Sequence, residues 1–174
     1  MNQKGQGSGV FQLLISAVVA MAILGVLLSI LGVINIQGSQ DAANTARNTL
    51  KEAWNNQENS KTSPKIQFKK TDIITGRGAA GPDLGLDYKD VCVGIADDLD
   101  ADGIFAVSGS VVTYTGTNAR DVKIGAVCTT GDQLEGFVTS TLSTIWEVST
   151  ISCENNDILA ATNRVGCVVV VINP

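Results

Sequence analysis

The chain has 174 residues, a formal net charge of −5 and no histidine. This length accommodates one domain of ordinary size and a short additional segment. Nucleic-acid binding is not expected, because neutralising phosphates requires clustered Lys and Arg side chains. The lack of histidine excludes acid–base, nucleophilic and zinc chemistry that depends on an imidazole. Since no nucleophile–base pair is evident either, the sequence favours a protein that is not an enzyme.

An uncharged stretch runs from Gly5 to Gln40, and its centre, Val10–Ile36, is almost entirely apolar. In helical form this centre would span about 40 Å, which exceeds the roughly 30 Å hydrocarbon core of a bilayer. A domain of this size has no room to bury such a segment. We therefore expect lipid, or the same segment of other copies, to cover it.

The helical pattern continues beyond the apolar stretch as an amphipathic stripe. The stripe consists of Ala43, Ala46, Leu50, Ala53 and Trp54. Polar residues that lead to Pro64 end the pattern, since Pro disfavours helical backbone in the residue before it. The sequence thus predicts one helix from about Ser8 to about Asn55, roughly 70 Å long.

The remaining sequence has the composition of β structure. The predicted strands are Ile66–Phe68, Val91–Ile95, Ile104–Tyr114, Val122–Val127, Gly136–Thr139, Thr144–Ile151 and Val165–Ile172. Because no long amphipathic helix separates these runs, parallel β-α-β units are not expected. The predicted fold class is α+β: a long N-terminal α-helix with an apolar first half, followed by an antiparallel β-sheet-rich globular head. The continuously apolar Val168–Ile172 favours a central strand that is buried on both faces.

Four cysteines, Cys92, Cys128, Cys153 and Cys167, lie in the C-terminal part, and none belongs to a Cys-x-x-Cys motif. This spacing disfavours zinc and thioredoxin-like sites. An even number of cysteines after an apolar, export-type segment favours two disulfides over buried thiols in a cytosolic protein. Three pairings are open. One of them joins Cys153 to Cys167 across a C-terminal hairpin and leaves Cys92 with Cys128.

The start of the chain carries a processing motif. Lys4 and Gly5 precede Gln6, and Ser8 and Leu14 stand two and eight positions after Gln6. This arrangement resembles the class III signal peptide of archaeal type IV pilins. In that family a prepilin peptidase removes a short polar leader in front of the apolar segment, and many mature chains begin with Gln. The resemblance implies cleavage between Gly5 and Gln6.

The resemblance also implies a division into a leader (residues 1–5), a long helix (6–60) that forms the filament core and is transmembrane before assembly, and a β-rich, type IV pilin-like head (61–174). The family often has Glu at the fifth mature position, where this chain has Val10. No carboxylate is therefore available there to set the register between subunits.

The function that the resemblance implies is that of a structural subunit of an extracellular archaeal adhesion pilus, polymerising through its N-terminal helices. Its partners would be copies of itself, the prepilin peptidase, the membrane assembly machinery and, before assembly, the lipid bilayer. The precursor would lie in the cytoplasmic membrane and the mature subunit in a cell-surface filament. Three alternatives are a subunit of the archaeal motility filament, a membrane-anchored surface binding protein and an anchored enzyme, the last disfavoured by the lack of His and of a nucleophile–base pair. No cofactor is required in any of these roles.

Asp98, Asp100 and Asp102, followed by Gly103, match the D-x-D-x-D-G spacing of calcium loops, in which alternating carboxylates converge on one ion. The twelfth position is Gly109 instead of Glu, and β-like runs flank the motif, so it is not an EF-hand. A structural calcium loop that carbonyls or water complete and a plain acidic turn both remain open.

The segment Gly76–Gly81 matches the pattern G-x-G-x-x-G. A dinucleotide site requires the last Gly to open a helix. Here Pro82 follows and no amphipathic pattern begins, so we interpret the segment as a flexible connecting loop.

Overall fold

The computed structural model describes residues 12, 14–21, 23, 36–160 and 163–174, and the chain divides into two units, Met1–Gln37 and Gly38–Pro174. In the first unit the described residues are helical, with helix α1 formed by residues 14–21. Helix α2 is Ile36–Asn55. No helix in these described ranges combines the length and the apolar character that crossing a membrane requires.

The continuous long N-terminal helix predicted from Ser8 to Asn55 is therefore wrong. The end of α2 at Asn55 matches the prediction, but the helix described there is Ile36–Asn55, and the described apolar residues nearer the N-terminus form the short helix α1. Packing fixes this register, because Ala42, Ala46, Leu50 and Ala53 are buried in the core of the second unit. The uniformly apolar stretch before α2 has no polar face, so its composition could not define a helix register in the same way.

The second unit contains nine strands among the residues described. They are β1 Lys61–Thr62, β2 Ile66–Phe68, β3 Ile73–Thr75, β4 Val91–Ile95, β5 Phe105–Ser108, β6 Val111–Tyr114, β7 Arg120–Thr130, β8 Ile151–Ser152 and β9 Val165–Ile172. The short helices are α3 Gly76–Ala80, α4 Asp97–Ala101, α5 Gly131–Phe137 and α6 Ser143–Ile145. A π-helical turn, Val138–Leu142, joins α5 to α6, and 3-10 turns lie at Tyr88–Asp90 and Asn156–Ala160.

The main sheet is mixed, with the strand order β1-β7-β9-β4-β8 and β2 also paired to β7. Strand β9 is antiparallel to β7 but parallel to β4, with Val91 opposite Cys167 and Ile95 opposite Val171. A second, three-stranded antiparallel sheet has the order β3-β6-β5. The predicted single antiparallel head is thus wrong in two respects, namely the parallel pair and the separate second sheet. The predicted central, doubly buried position of the last strand is confirmed.

The connection from β7 to β8, which we call the crossover, is helical where the sequence predicted strands, and the parallel pairing of β4 with β9 was not predicted either. The predicted strand Gly136–Thr139 lies within the helical run from α5 through α6, and the predicted strand Thr144–Ile151 begins in α6, continues as irregular chain and reaches β8 only at Ile151. This run is rich in Thr, Ser and Val, which have a lower intrinsic helix propensity than Ala or Leu. Packing overrides that preference, because Leu134 and Leu142 are fully buried at helical spacing.

The crossover packs closely on one face of the sheet through two glycines. A Cβ atom at Gly125 would lie 2.8 Å from the ring of Trp146, and one at Gly166 would lie 2.9 Å from Leu134. Both distances are shorter than a carbon–carbon contact allows. Glycine at these positions therefore lets the helical run lie directly on β7 and β9.

Three aromatic rings join the second sheet to β2. The ring centroid of Phe68 lies 5.7 Å from that of Phe105 and 6.3 Å from that of Tyr114, in edge-to-face arrangements. Such pairs add to the stability that burial alone provides. Elsewhere in the domain, Arg47 of α2 forms an ion pair with Asp83 in the segment after α3.

Two ion pairs differ sharply in burial. Arg164 donates to both carboxylate oxygens of Asp90, at 2.7 and 2.6 Å, and the Asp90 side chain is only 7% exposed. These two residues stand just before β9 and β4, so the pair joins the beginnings of the parallel strands. Lys65 and Asp121 form the second pair at the exposed surface, where the hydrogen bond from Lys65 lowers the pKa of Asp121.

Replacing Arg164 by Ala should lower the free energy of unfolding by about 2–3 kcal/mol, because it leaves a buried carboxylate without its bidentate partner. Urea denaturation followed by circular dichroism measures this change. Lys65→Ala is the matched control, and it should change the stability much less, since both members of the Lys65–Asp121 pair are solvated. Equal losses in the two variants would contradict a stabilising role for the Arg164–Asp90 pair.

Candidate functional site

Six large apolar side chains of the first unit are exposed, and we call them the N-terminal apolar surface. They are Leu14, Ile15, Val18, Val19, Met21 and Ile23, with exposed fractions between 47% and 73%. At 100° per residue these positions cover more than one side of the helix. A contiguous apolar surface of this kind is typical of a segment that another molecule covers.

The polar and small residues of α1 do not interrupt this surface. The Ser16 hydroxyl donates to the carbonyl of Gln12 at 2.8 Å, so its hydrogen bond is made within the helix. Ser16 and Ala20 are four residues apart and allow close approach of a second helix. Ser16 can therefore face apolar neighbours without leaving its hydroxyl unpaired.

The prediction of two disulfides is confirmed, with the connectivity Cys92–Cys153 and Cys128–Cys167. The pairing of Cys153 with Cys167 was wrong, because it assumed that these residues face each other in a hairpin. Cys167 lies instead directly opposite Cys128 in the β7–β9 ladder. Cys153 follows β8, whose register with β4 places it opposite Cys92.

The two disulfides lie on opposite faces of the main sheet. Cys167 is in register with Val91, the residue next to Cys92, and successive side chains of a strand point to opposite faces. Together the bridges link β7 to β9 and β4 to β8. Two disulfides in a domain of this size are typical of proteins that fold in an oxidising, extracellular environment.

The acidic motif lies at the end of β4, where Asp98 and Asp100 belong to helix α4 and Asp102 follows it. In helical backbone Asp98 and Asp102, four residues apart, share one face and Asp100 points to the other, so the three carboxylates do not converge as they would in a loop. Asp102 lies 3.4 Å from Arg120, and Asp98 accepts the N–H of Leu99. In the ranges that the structure describes, no three acidic, His or Cys side chains are placed to hold a metal ion. The calcium site stays a prediction.

The segment Gly76–Gly81 is not the flexible loop expected. Gly76–Ala80 form α3, and the Thr75 hydroxyl caps the helix by accepting the N–H of Gly78. Gly76, Ala79 and Ala80 are buried, which explains the small side chains of the motif by packing. The predicted processing site, Gly5 and Gln6, lies outside the described residues.

A cavity of about 200 Å³ opens at the carboxyl ends of the parallel strands β4 and β9, and we call it the strand-end cavity. It is lined by Ala96, Asp98, Ile145, Trp146, Glu147, Ile172 and Asn173. Sequence reasoning missed this group because its members come from three distant segments. Only the parallel pairing and the crossover bring them together.

Comparison with protein families, with curated proteins and with solved structures finds no match for this chain. Its function is therefore argued from its own residues. The N-terminal apolar surface and the disulfide-bonded sheet are the two features that distinguish it from an ordinary globular domain.

Digestion under non-reducing conditions should release peptides that link Cys92 to Cys153 and Cys128 to Cys167, as identified by mass spectrometry. The double variant Cys128→Ala/Cys167→Ala should unfold with a free energy lower by about 4 kcal/mol, because the bridge constrains a loop of this length in the unfolded chain. Cys92→Ala/Cys153→Ala should give a similar loss. A peptide that links Cys153 to Cys167 would contradict the strand register.

Proposed function

We propose that the chain is the repeating structural subunit of an extracellular filament, an archaeal type IV pilus that attaches cells to surfaces or to one another. Subunits would associate through their N-terminal apolar segments and display their disulfide-bonded heads to solvent. The observation that carries this proposal is the N-terminal apolar surface, which the chain itself leaves exposed.

The apolar contact supplies the driving force for assembly. Fully burying a large apolar side chain contributes about 1.5–3 kcal/mol. Completing the burial of the six side chains would therefore contribute on the order of 5–10 kcal/mol per subunit, before the entropic cost of association. This is enough to favour assembly between many copies at the same site.

The geometry of the surface favours an open array over a closed dimer. A helix that is apolar on more than one side can contact several neighbours at once. Contacts between different patches of identical subunits generate a helical filament when the rotation does not close a ring. Small residues such as Ser16, Ala17 and Ala20 would let these segments approach closely.

The disulfides of the head are typical of extracellular proteins. Both disulfides belong to the second unit and join four strands of its main sheet. They would keep the head folded where no chaperone can refold it. The resemblance of residues Lys4–Leu14 to a pilin leader adds the processing step, in which the prepilin peptidase cleaves the membrane-held precursor before the assembly machinery extracts it.

Two alternatives share part of this description. A subunit of the archaeal motility filament would have the same assembly and differ in the rotation of the filament. A membrane-anchored surface binding protein would keep its leader and stay a monomer in the membrane fraction. The two measurements below distinguish assembly from anchoring.

The mature protein should begin at Gln6. We expect intact-mass measurement of protein sheared from the cell surface to give the mass of residues 6–174, reduced by four hydrogens for the two disulfides. Recovery of the same filaments with Met1 in place would rule out the processing step. Recovery of an uncleaved monomer in membranes alone would favour the anchored protein.

Replacing Val18 by Asp should abolish filaments, because a carboxylate in the apolar contact would lose its hydration without gaining a partner. The yield of sheared filaments should fall by about tenfold or more. Ile73→Asp, which places the same charge at an exposed hydrophobic residue of the head, is the matched control and should leave the yield unchanged. Normal assembly of the Val18→Asp subunit would refute packing through this surface.

A further inference from the structure

The strand-end cavity lies where the fold itself creates a depression. Strands β4 and β9 are parallel, so their carboxyl ends open on the same edge of the sheet. The chain leaves β4 through Ala96 into α4, and β9 ends at Ile172. Crevices outside the carboxyl ends of parallel strands are common ligand sites in proteins with such sheets.

Trp146 supplies an open hydrogen-bond donor to this cavity. The residue is only 7% exposed, the benzene half of its indole lies against Gly125, and the residue lines the cavity. In the described part of the chain the indole N–H has no acceptor. No buried side-chain nitrogen among the described residues lacks a partner, so this indole N–H reaches solvent, where it can donate to a ligand that carries an acceptor.

Acceptors and further donors surround the indole. The carboxylate of Glu147 and the amide of Asn173 are exposed, and neither side chain has a partner in the parts of the chain that the structure describes. Asp98 uses one carboxylate oxygen for the N–H of Leu99 and keeps the other available. Ile145 and Ile172 provide apolar walls between these polar groups.

The backbone holds Glu147 in place. The residue has a φ of 52°, an uncommon conformation for a side chain other than Gly. Its carbonyl accepts the N–H of Asp97 at 2.8 Å, and the next N–H, of Val148, donates to Leu142 at 3.3 Å. The carboxylate is therefore presented by a constrained turn, which lowers the entropic cost of binding.

We propose that the strand-end cavity binds a single neutral saccharide ring. The carboxylates of Asp98 and Glu147 would accept from ring hydroxyls, while the indole N–H of Trp146 and the amide of Asn173 would donate to ring oxygens. The C–H groups of the ring would contact Ile145 and Ile172. About 200 Å³ suits one ring and is smaller than the cavities that hold drug-sized ligands.

The mixture of donors and acceptors selects a neutral polyol over an ion. Two carboxylates without a basic lining residue disfavour an anion. A cation would satisfy the carboxylates but would leave the indole N–H, which can only donate, without an acceptor. A polyol satisfies both kinds of group, since each hydroxyl donates once and accepts twice.

This inference concerns the head and does not depend on filament assembly, although in a pilus it would give adhesion a chemical target. The test uses the full chain, kept unassembled in a zwitterionic detergent that contains no sugar. Saturation-transfer NMR with a panel of methyl glycosides of glucose, galactose, mannose, N-acetylglucosamine and fucose reports binding. Lysine methyl ester serves as the cationic probe. We expect at least one glycoside to bind with roughly millimolar affinity.

The variants Glu147→Gln, Asn173→Ala and Trp146→Phe should each weaken the affinity by about fivefold to tenfold, because each removes one hydrogen-bonding group. The first two residues are exposed, so these variants keep the fold even if the Trp146 variant does not. Glu52→Gln, at an exposed carboxylate of α2, is the matched control and should bind normally. Three results would each overturn the proposal: no glycoside binds, binding is unchanged in Glu147→Gln and Asn173→Ala, or only lysine methyl ester binds.

Discussion

The architecture depends on the burial of strand β9. From Gly166 to Ile172 each residue of this strand is buried, so both faces of the sheet must be covered and both of its edges must be paired. Strands β7 and β4 pair with its two edges, and the helical crossover from α5 to α6 covers one face. The disulfides reinforce the same constraint, since Cys128–Cys167 joins β9 to one neighbour and Cys92–Cys153 joins the other neighbour to the sheet edge. The ion pair between Arg164 and Asp90 adds a further link between β9 and β4, at the point where these two parallel strands begin.

Elements whose signal is local could be predicted from the sequence. Strands β4 and β9 have the predicted bounds, because continuous Val and Ile runs between turn residues identify buried strands without further context. The end of α2 was also predicted from a local signal, namely the polar residues that lead to Pro64. The helical form of the crossover was not predicted, because Thr and Val between residues 131 and 145 favour strands. The burial of Leu134 and Leu142 in the core outweighs that preference. Once the crossover was misread, the parallel pairing, the disulfide connectivity and the strand-end cavity could not be derived, because all three depend on non-local register.

The acidic motif shows that spacing alone does not determine a site. The letters D-x-D-x-D-G imply converging ligands only in a loop, and here the backbone of α4 turns through a helix. Asp97, the residue in front of the motif, instead accepts from the N–H and the hydroxyl of Ser149, at 3.0 and 2.7 Å. That contact fixes the turn containing Glu147 against α4. The structural role of the acidic segment is therefore to build one wall of the strand-end cavity.

The positions of the exposed apolar side chains bear on both proposed activities, filament assembly and ligand binding in the head. Apart from the N-terminal apolar surface, the large hydrophobic residues that are exposed in the described ranges are Ile73, Val107 and Ile145. Ile73 and Val107 lie on different edge strands of the second sheet, and Ile145 lies at the cavity. Hydrophobic attraction has no direction, so a head with a large apolar patch would compete with the N-terminal segment for contacts between copies. A head with only scattered apolar residues leaves assembly to the N-terminal segment, and it keeps the polar groups of the cavity free to select a ligand.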